Sequence, residues 1–384
     1  MIPAKRIHTV EEYYFSKKLR EVRGLIAAGK PIINLGIGSP DLQPPTVVVD
    51  ALEASLHDET AHKYQSYQGI PELRNAIADF YQKNYNVSLN ANDEILPLMG
   101  SKEGIMHISM AYLDEGDAVL IANPSYPTYT SVTKLLGAIP IYYDLDANNN
   151  WLPNLEQLEK QNLSNVKLMW VNYPHMPTGA KATKSFFEKL IVFAKKHQIL
   201  LINDNPYSFI LNDEPLSILA IEGAKEVALE LNSLSKSFNM AGWRTGMVMG
   251  RAKHIQHVLK VKSNMDSGMF YGIQKGAIQA LASSTEWFAQ LNTIYEKRRK
   301  LIWELATNLH CTFDTETAGM FVWAKLPESN TLTSEAFIDK LLYEKDVFIT
   351  PGSIFGTQGE GYIRFSLCVS EEKIKEVIKR IEAS

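Results

Sequence analysis

What constrains this chain most is a repeated alternation of short apolar runs with longer stretches of helical periodicity. The runs 94–98, 118–122, 139–143, 166–173, 199–203 and 246–250 have strand length, and the segments between them repeat apolar residues at three- and four-residue spacing. Leu73, Ile77 and Tyr81 share one face, as do Ile105, Ile108 and Tyr112, and Phe187, Leu190, Ile191 and Ala194. Such an order predicts an α/β architecture, a mainly parallel sheet covered by helices. The last segment, 370–381, carries a candidate Ser370 cap, two first-turn glutamates and Ile374, Val377, Ile378 and Ile381 on one stripe, as the terminal helix of a smaller lobe. The Pro/Gly-rich opening LGIGSPDLQPP (35–45) and the charge-rich stretch 283–309 are the expected passages between lobes.

At 384 residues the chain is long enough for two large cores, and 45% hydrophobic with 21% charged residues is an ordinary globular composition. Lys and Arg total 39 against 43 Asp and Glu, so no broad cationic surface points to nucleic acid or an anionic membrane. Two cysteines, Cys311 and Cys368, without CxxC spacing indicate neither a disulfide framework nor a metal centre. The start lacks the apolar stretch of a secretory signal and no run approaches membrane-span length. The expected location is the cytoplasm.

The chemistry concentrates in SLSKSFNMAGWRTG (233–246). Lys236 sits among small hydroxyl residues, and Arg244 follows eight residues later across a Gly-Trp pair. Alone, the segment fits either charges on a Ser-rich surface loop or an anion pocket with an amine inside it. In the second case the neighbouring cation and partial desolvation make the amine a nucleophile for a carbonyl carbon. MGSKEGI (99–105) sets Gly-Ser at a strand-to-helix step, where free N–H groups and the helix dipole bind phosphate. INDNPYSF (202–209) sets Asp204 at the end of a buried strand, where open parallel sheets bind ligands and a carboxylate needs a cationic partner.

A lysine, a phosphate-binding helix start and a buried acid are what pyridoxal phosphate requires. The chain resembles the class I and II pyridoxal-phosphate-dependent aminotransferases of fold type I, through LGIGSPDLQPP, HKYQSYQGIPELR, GSKEG, NPSYPTY, NYPHMPTG, DNPY, SLSKSFNMAGWRTG and GYIRFSLC in order. The resemblance implies a large domain, 46–285, with a mainly parallel seven-stranded sheet between helices. A smaller α+β domain would be formed from 1–45 and 286–384, with an N-terminal arm. It implies that Lys236 forms a Schiff base with the cofactor and shuttles a proton, and that Asp204 keeps the pyridine nitrogen protonated. Tyr207 would donate to the ring oxygen and Tyr126 stack on the ring. Ser101, Lys102, Ser233, Ser235 and Arg244 would hold the phosphate, and Tyr64 would reach the phosphate of a second subunit, hence a homodimer. Arg364 would grip the substrate α-carboxylate, with Gly38 close to it and Tyr13 or Phe15 covering the site.

The sequence departs from the family at Met176, which replaces the asparagine usual before Pro-Thr-Gly; a thioether cannot donate a hydrogen bond to the ring oxygen. Asn172 or His175 is a candidate to compensate, although His175 reads more simply as a loop residue. The expected activity is transfer of an amino group from an L-amino acid to a 2-oxo acid. A C–S lyase of the same fold and a cofactor-binding regulator without turnover are the alternatives. An NAD oxidoreductase is disfavoured because LGIGSPD lacks the third glycine of GxGxxG and runs into Pro-Pro.

Overall fold

A computed structural model describes residues 1–383. Its strands are β1 (Ile33–Asn34), β2 (Ile95–Leu98), β3 (Ala118–Asn123), β4 (Ile139–Asp144), β5 (Val166–Val171), β6 (Leu200–Asp204) and β7 (Ala228–Ser233). They continue with β8 (Gly246–Gly250), β9 (Thr312–Phe313), β10 (Phe321–Lys325), β11 (Val347–Phe348), β12 (Thr350–Pro351) and β13 (Tyr362–Ser366). Seven form one sheet in the order β2-β8-β7-β6-β5-β3-β4, in which only β8 runs against its neighbours. The fold is the expected α/β, with the large sheet mainly parallel.

Strand sequence explains strand position. In β3, Val119 and Ile121 join one apolar cluster while Leu120 and Ala122 join the other, on the opposite face of the sheet. Both faces are therefore buried, which is why β3 reads as a continuous apolar run. Edge strand β4 is largely exposed or half-buried. The covering helices obey local rules as well. Pro71 opens the Pro71–Tyr85 helix and a left-handed Asn86 closes it, while the Thr183 hydroxyl accepts Phe186 N–H at 3.1 Å to start Lys184–His197.

A second, four-stranded sheet, β12-β13-β10-β9, is antiparallel, and β1 pairs with β11 in parallel. The stretch 283–309 is a single 24-residue helix, Thr285–Asn308. Its first half buries Phe288 against Phe209 of the large-sheet region, rings stacked at 4.6 Å, and its second half buries Ile302, Leu305 and Ala306. Between them the buried Arg298 binds Asp41 at 2.7 Å, Glu371 at 3.2 Å and the Leu367 carbonyl, tying segment 35–45 to the C-terminal region. Ser370 occupies the cap position of the Glu371–Glu382 helix, but its hydroxyl caps no backbone N–H. It bonds instead to the first-turn Glu372, whose carboxylate also takes its own backbone N–H. The Tyr14–Ala27 helix docks on the Ser334–Lys345 helix through Lys18, 2.5 Å from Asp339. Among the described residues no helix is long and apolar enough to cross a membrane.

Candidate active site

The parallel strands deliver their C-terminal ends to one cavity of ≈ 360 Å³. Asp204 ends β6, Ser233 ends β7, Asn172 follows β5, and Tyr126 and Tyr129 lie at the start of the helix after β3; all line it. The geometry follows from topology, since strand ends in an open parallel sheet leave a crevice where the connections diverge.

At its centre Lys236, on the short Leu234–Ser237 helix after β7, sends its Nζ to the Gly38 carbonyl at 2.5 Å. Burial lowers the pKa of this amine, and the charges of Arg364 and Arg244 push the same way, opposed by Cys368 and Asp204. Asp204 is 5% exposed. Its Oδ2 accepts the Tyr129 hydroxyl at 2.8 Å, while Oδ1 is buried with no partner among the described residues. Burial raises its carboxyl from 3.8 to about 7, against the Tyr129 hydrogen bond and the Lys236 charge. Tyr129 is itself fixed by stacking on Trp170 at 4.9 Å and 10°. Sequence reading missed Tyr129; the signal was its place three residues beyond Tyr126, on the same side of a helix start.

One end of the cavity gathers cations at a helix N-terminus. Ser101 and Lys102 open the Ser101–Tyr112 helix after Gly100, whose φ is +91°. A Cβ at Gly100 would meet the Arg244 guanidinium and one at Gly246 the backbone of Gly100 and Ser101, so both glycines let Arg244 reach the helix start. Ser235 N–H donates to Ser233 Oγ at 3.0 Å, and Ser233 Oγ donates to Ser235 Oγ at 2.8 Å. Burial and then the Arg244 charge lower the Lys102 pKa. Helix-start N–H groups, hydroxyls and two cations form a donor set for a dianion.

The other end is built around Arg364 of β13, which is 4% exposed. Its Nη2 donates to the Gly36 carbonyl at 2.9 Å and its Nη1 to Met176 Sδ at 3.3 Å, while Nε is buried without a partner among the described residues. The rings of Phe321, Phe355 and Phe15 lie 3.9, 4.7 and 5.6 Å from the guanidinium carbon. Burial lowers its pKa to about 10, so it stays cationic at neutral pH. Phe321 and Phe355 were not singled out in the sequence, because FVWAK and PGSIFG read as packing. Gly38 faces Phe321 closely enough to exclude a Cβ. Tyr13 lines the wall with Lys102 Nζ 4.9 Å from its ring, and burial pushes the Tyr13 and Tyr207 hydroxyls well up.

Three sequence candidates lie apart from the chemistry or are otherwise engaged. Tyr64 is 91% exposed and outside this cavity. Asn172 lines the cavity, but its amide donates to the Asp204 carbonyl and accepts Met176 N–H at 2.8 Å. His175 is buried on Thr178 at 2.8 Å, and burial lowers its pKa to about 3, so it is neutral.

A family model described as aminotransferase class I and II matches residues 30–381. The chain belongs to this family. It is 43% identical to an LL-diaminopimelate aminotransferase of Dehalococcoides mccartyi, over 98% of this chain and 97% of the relative, and 37% identical to one of Aquifex aeolicus over 98% and 97%. Among solved structures, apo-BacF of Bacillus subtilis superposes with a TM-score of 0.96 at 36% identity, over 100% of this chain and 98% of that one. A mutant aspartate aminotransferase of Thermus thermophilus superposes with a TM-score of 0.92 at 25% identity, over 99% and 98%. The protein is a pyridoxal-phosphate-dependent aminotransferase of fold type I, transferring an amino group to a 2-oxo acid. Its cavity fits that cofactor. The dianion corner suits a phosphate, and the partnerless Asp204 Oδ1 suits a ring N–H donor.

Proposed function

We propose that the aminotransferase site is the Lys236–Asp204 cavity, with residue roles as follows. Bound pyridoxal phosphate supplies an aldehyde for the donor amine and a ring that takes up electrons from the α-carbon. Lys236, depressed toward its neutral form, is the covalent anchor and the base that moves the proton at the donor α-carbon. Asp204 holds the proton on the ring nitrogen, a pairing that favours its own charged form over the protonated one that burial promotes. Tyr129 orients that carboxylate. Tyr207 donates to the ring oxygen, Tyr126 packs on the ring face and Asn172 braces the wall. Ser101, Lys102, Ser233, Ser235 and Arg244 hold the phosphate.

Arg364 binds the donor α-carboxylate beside Gly38 and Tyr13, which fixes the α-bond that is broken. The domain division is 46–285 against 1–45 with 286–384. The working unit is a cytoplasmic homodimer in which Tyr64 of each copy completes the other's phosphate site. Supporting this, Tyr64, Tyr67, Met265 and Phe270 are exposed on segments that touch each other where Gly268 packs on Gln65. LL-diaminopimelate, the substrate in the relatives' names, is one of the donors to be tried.

The observation carrying this reading is the half-buried amine, its pKa lowered by desolvation, and the buried, half-satisfied carboxylate facing one cavity. Incubating the cofactor-loaded enzyme with ¹⁵N-labelled amino acids and 2-oxoglutarate tests it by mass spectrometry. Label in a new amino acid is expected. Release of ammonia, pyruvate or a thiol without label transfer would replace the reading with the lyase, and no reaction of any donor with the regulator.

A further inference from the structure

The cavity's charged lining residues are Lys102, Asp204, Lys236, Arg244 and Arg364. Lys102 and Arg244 belong to the dianion corner and Lys236 and Asp204 to the centre, so one cation, Arg364, remains at the far end. Around it the wall is mostly apolar, Phe15, Leu19, Ile37, Met176, Phe321 and Phe355, and its polar groups nearest Arg364 are the uncharged hydroxyls of Tyr13 and Tyr207. Phe15 and Leu19 stand at i and i+4 on the Tyr14–Ala27 helix and so present one face to the cavity. None of this helix's charges lines the cavity: Lys17 pairs with Glu11, and Arg23, four residues beyond Leu19, is exposed outside the lining. Lys18 pairs with Asp339 and Glu21, and Arg20 pairs with Glu12 with 65% of its side chain exposed.

We propose that the donor carries an apolar side chain, aromatic or long aliphatic, seated against Phe15, Leu19, Ile37 and Met176. This deepens the reading that Arg364 binds the donor α-carboxylate. Once that carboxylate occupies Arg364, a second carboxylate or a distal ammonium would be desolvated with no counter-charge from this wall. Losing solvation without a replacement partner discriminates far more strongly than a missing methylene does. Met176 fits the same picture, since its thioether completes an apolar surface where an amide would offer polar groups.

The test compares kcat/KM of the cofactor-loaded enzyme for phenylalanine, leucine and methionine against aspartate, glutamate and LL-diaminopimelate. It also measures calorimetric binding of two unreactive carboxylates, 3-phenylpropionate and glutarate. The apolar donors are expected to lead by about 100-fold, and 3-phenylpropionate to bind at least about 10-fold more tightly than glutarate. Leu19→Arg should swing the glutamate-to-phenylalanine ratio toward glutamate by about 10-fold. An acidic or diamino-dicarboxylic donor that matches the apolar ones, or glutarate binding as tightly as 3-phenylpropionate, overturns the inference. If no donor reacts at all, the amino-transfer reading fails, and the two carboxylates still decide the apolar seat on their own.

Discussion

Asp204→Asn separates what this residue costs the fold from what it does for the reaction. Burial raises the Asp204 carboxyl from 3.8 to about 7. Cofactor-free folded protein therefore holds a proton that the unfolded chain releases above about pH 4, and stability falls as pH rises from about 4 to about 7, then levels off. About three pH units at 1.36 kcal/mol each make the penalty about 4 kcal/mol at pH 8. Asparagine removes that ionisation and still accepts the Tyr129 hydroxyl. Its NH2 then falls where Oδ1 is buried without a partner, costing about 1–3 kcal/mol. The variant should thus be more stable than the parent by about 1–3 kcal/mol at pH 8, with the advantage gone near pH 4. With pyridoxal phosphate bound the order reverses, because only the carboxylate pairs with a protonated ring nitrogen, and turnover falls by at least about 100-fold. Urea unfolding at pH 5 and 8, with and without cofactor, reads both effects. Equal stabilities of the cofactor-free proteins at pH 8, or full activity in the variant, would refute the reasoning.

Arg364→Met removes charge-assisted hydrogen bonds of about 1.5–3 kcal/mol each, so the donor KM should rise roughly 10- to 100-fold in steady-state assays while the fold, relieved of a buried cation, holds its melting temperature. Gly100→Ala drives a Cβ into the Arg244 guanidinium at a φ of +91°, and the cofactor Kd from absorbance titration should weaken at least about 10-fold. Met176→Asn gives the ring oxygen a donor that the thioether lacks, so the pH transition of the cofactor's visible band should move to lower pH; superimposable titrations would remove Met176 from the account.

How much of this was legible depends on whether a residue's meaning is local. The strands were readable because burial on both faces forces apolar runs, as in β3 and β8. Lys236 and Asp204 stood out because a lysine among serines and an acid closing an apolar strand are poor choices for packing alone. Tyr129 was hidden, since a tyrosine in a helix reads as core until the fold brings β6 beside it. Phe321 and Phe355 were hidden for a similar reason. Their partner Arg364 is more than forty residues from Phe321 in sequence, and only the pairing of β10 with β13 joins them. The Ser370 cap failed at the level of one rotamer, where Glu372 outcompeted the backbone. Spacing says nothing of that contest.

The central claim is that the Lys236 amine is the covalent anchor of the cofactor in this cavity. Borohydride reduction of the cofactor-loaded protein followed by peptide mapping tests it most directly. The account predicts a pyridoxyl mass on the peptide containing Lys236 and on no other, lost in Lys236→Ala. An unmodified Lys236, with label on Lys102 or elsewhere, would contradict it.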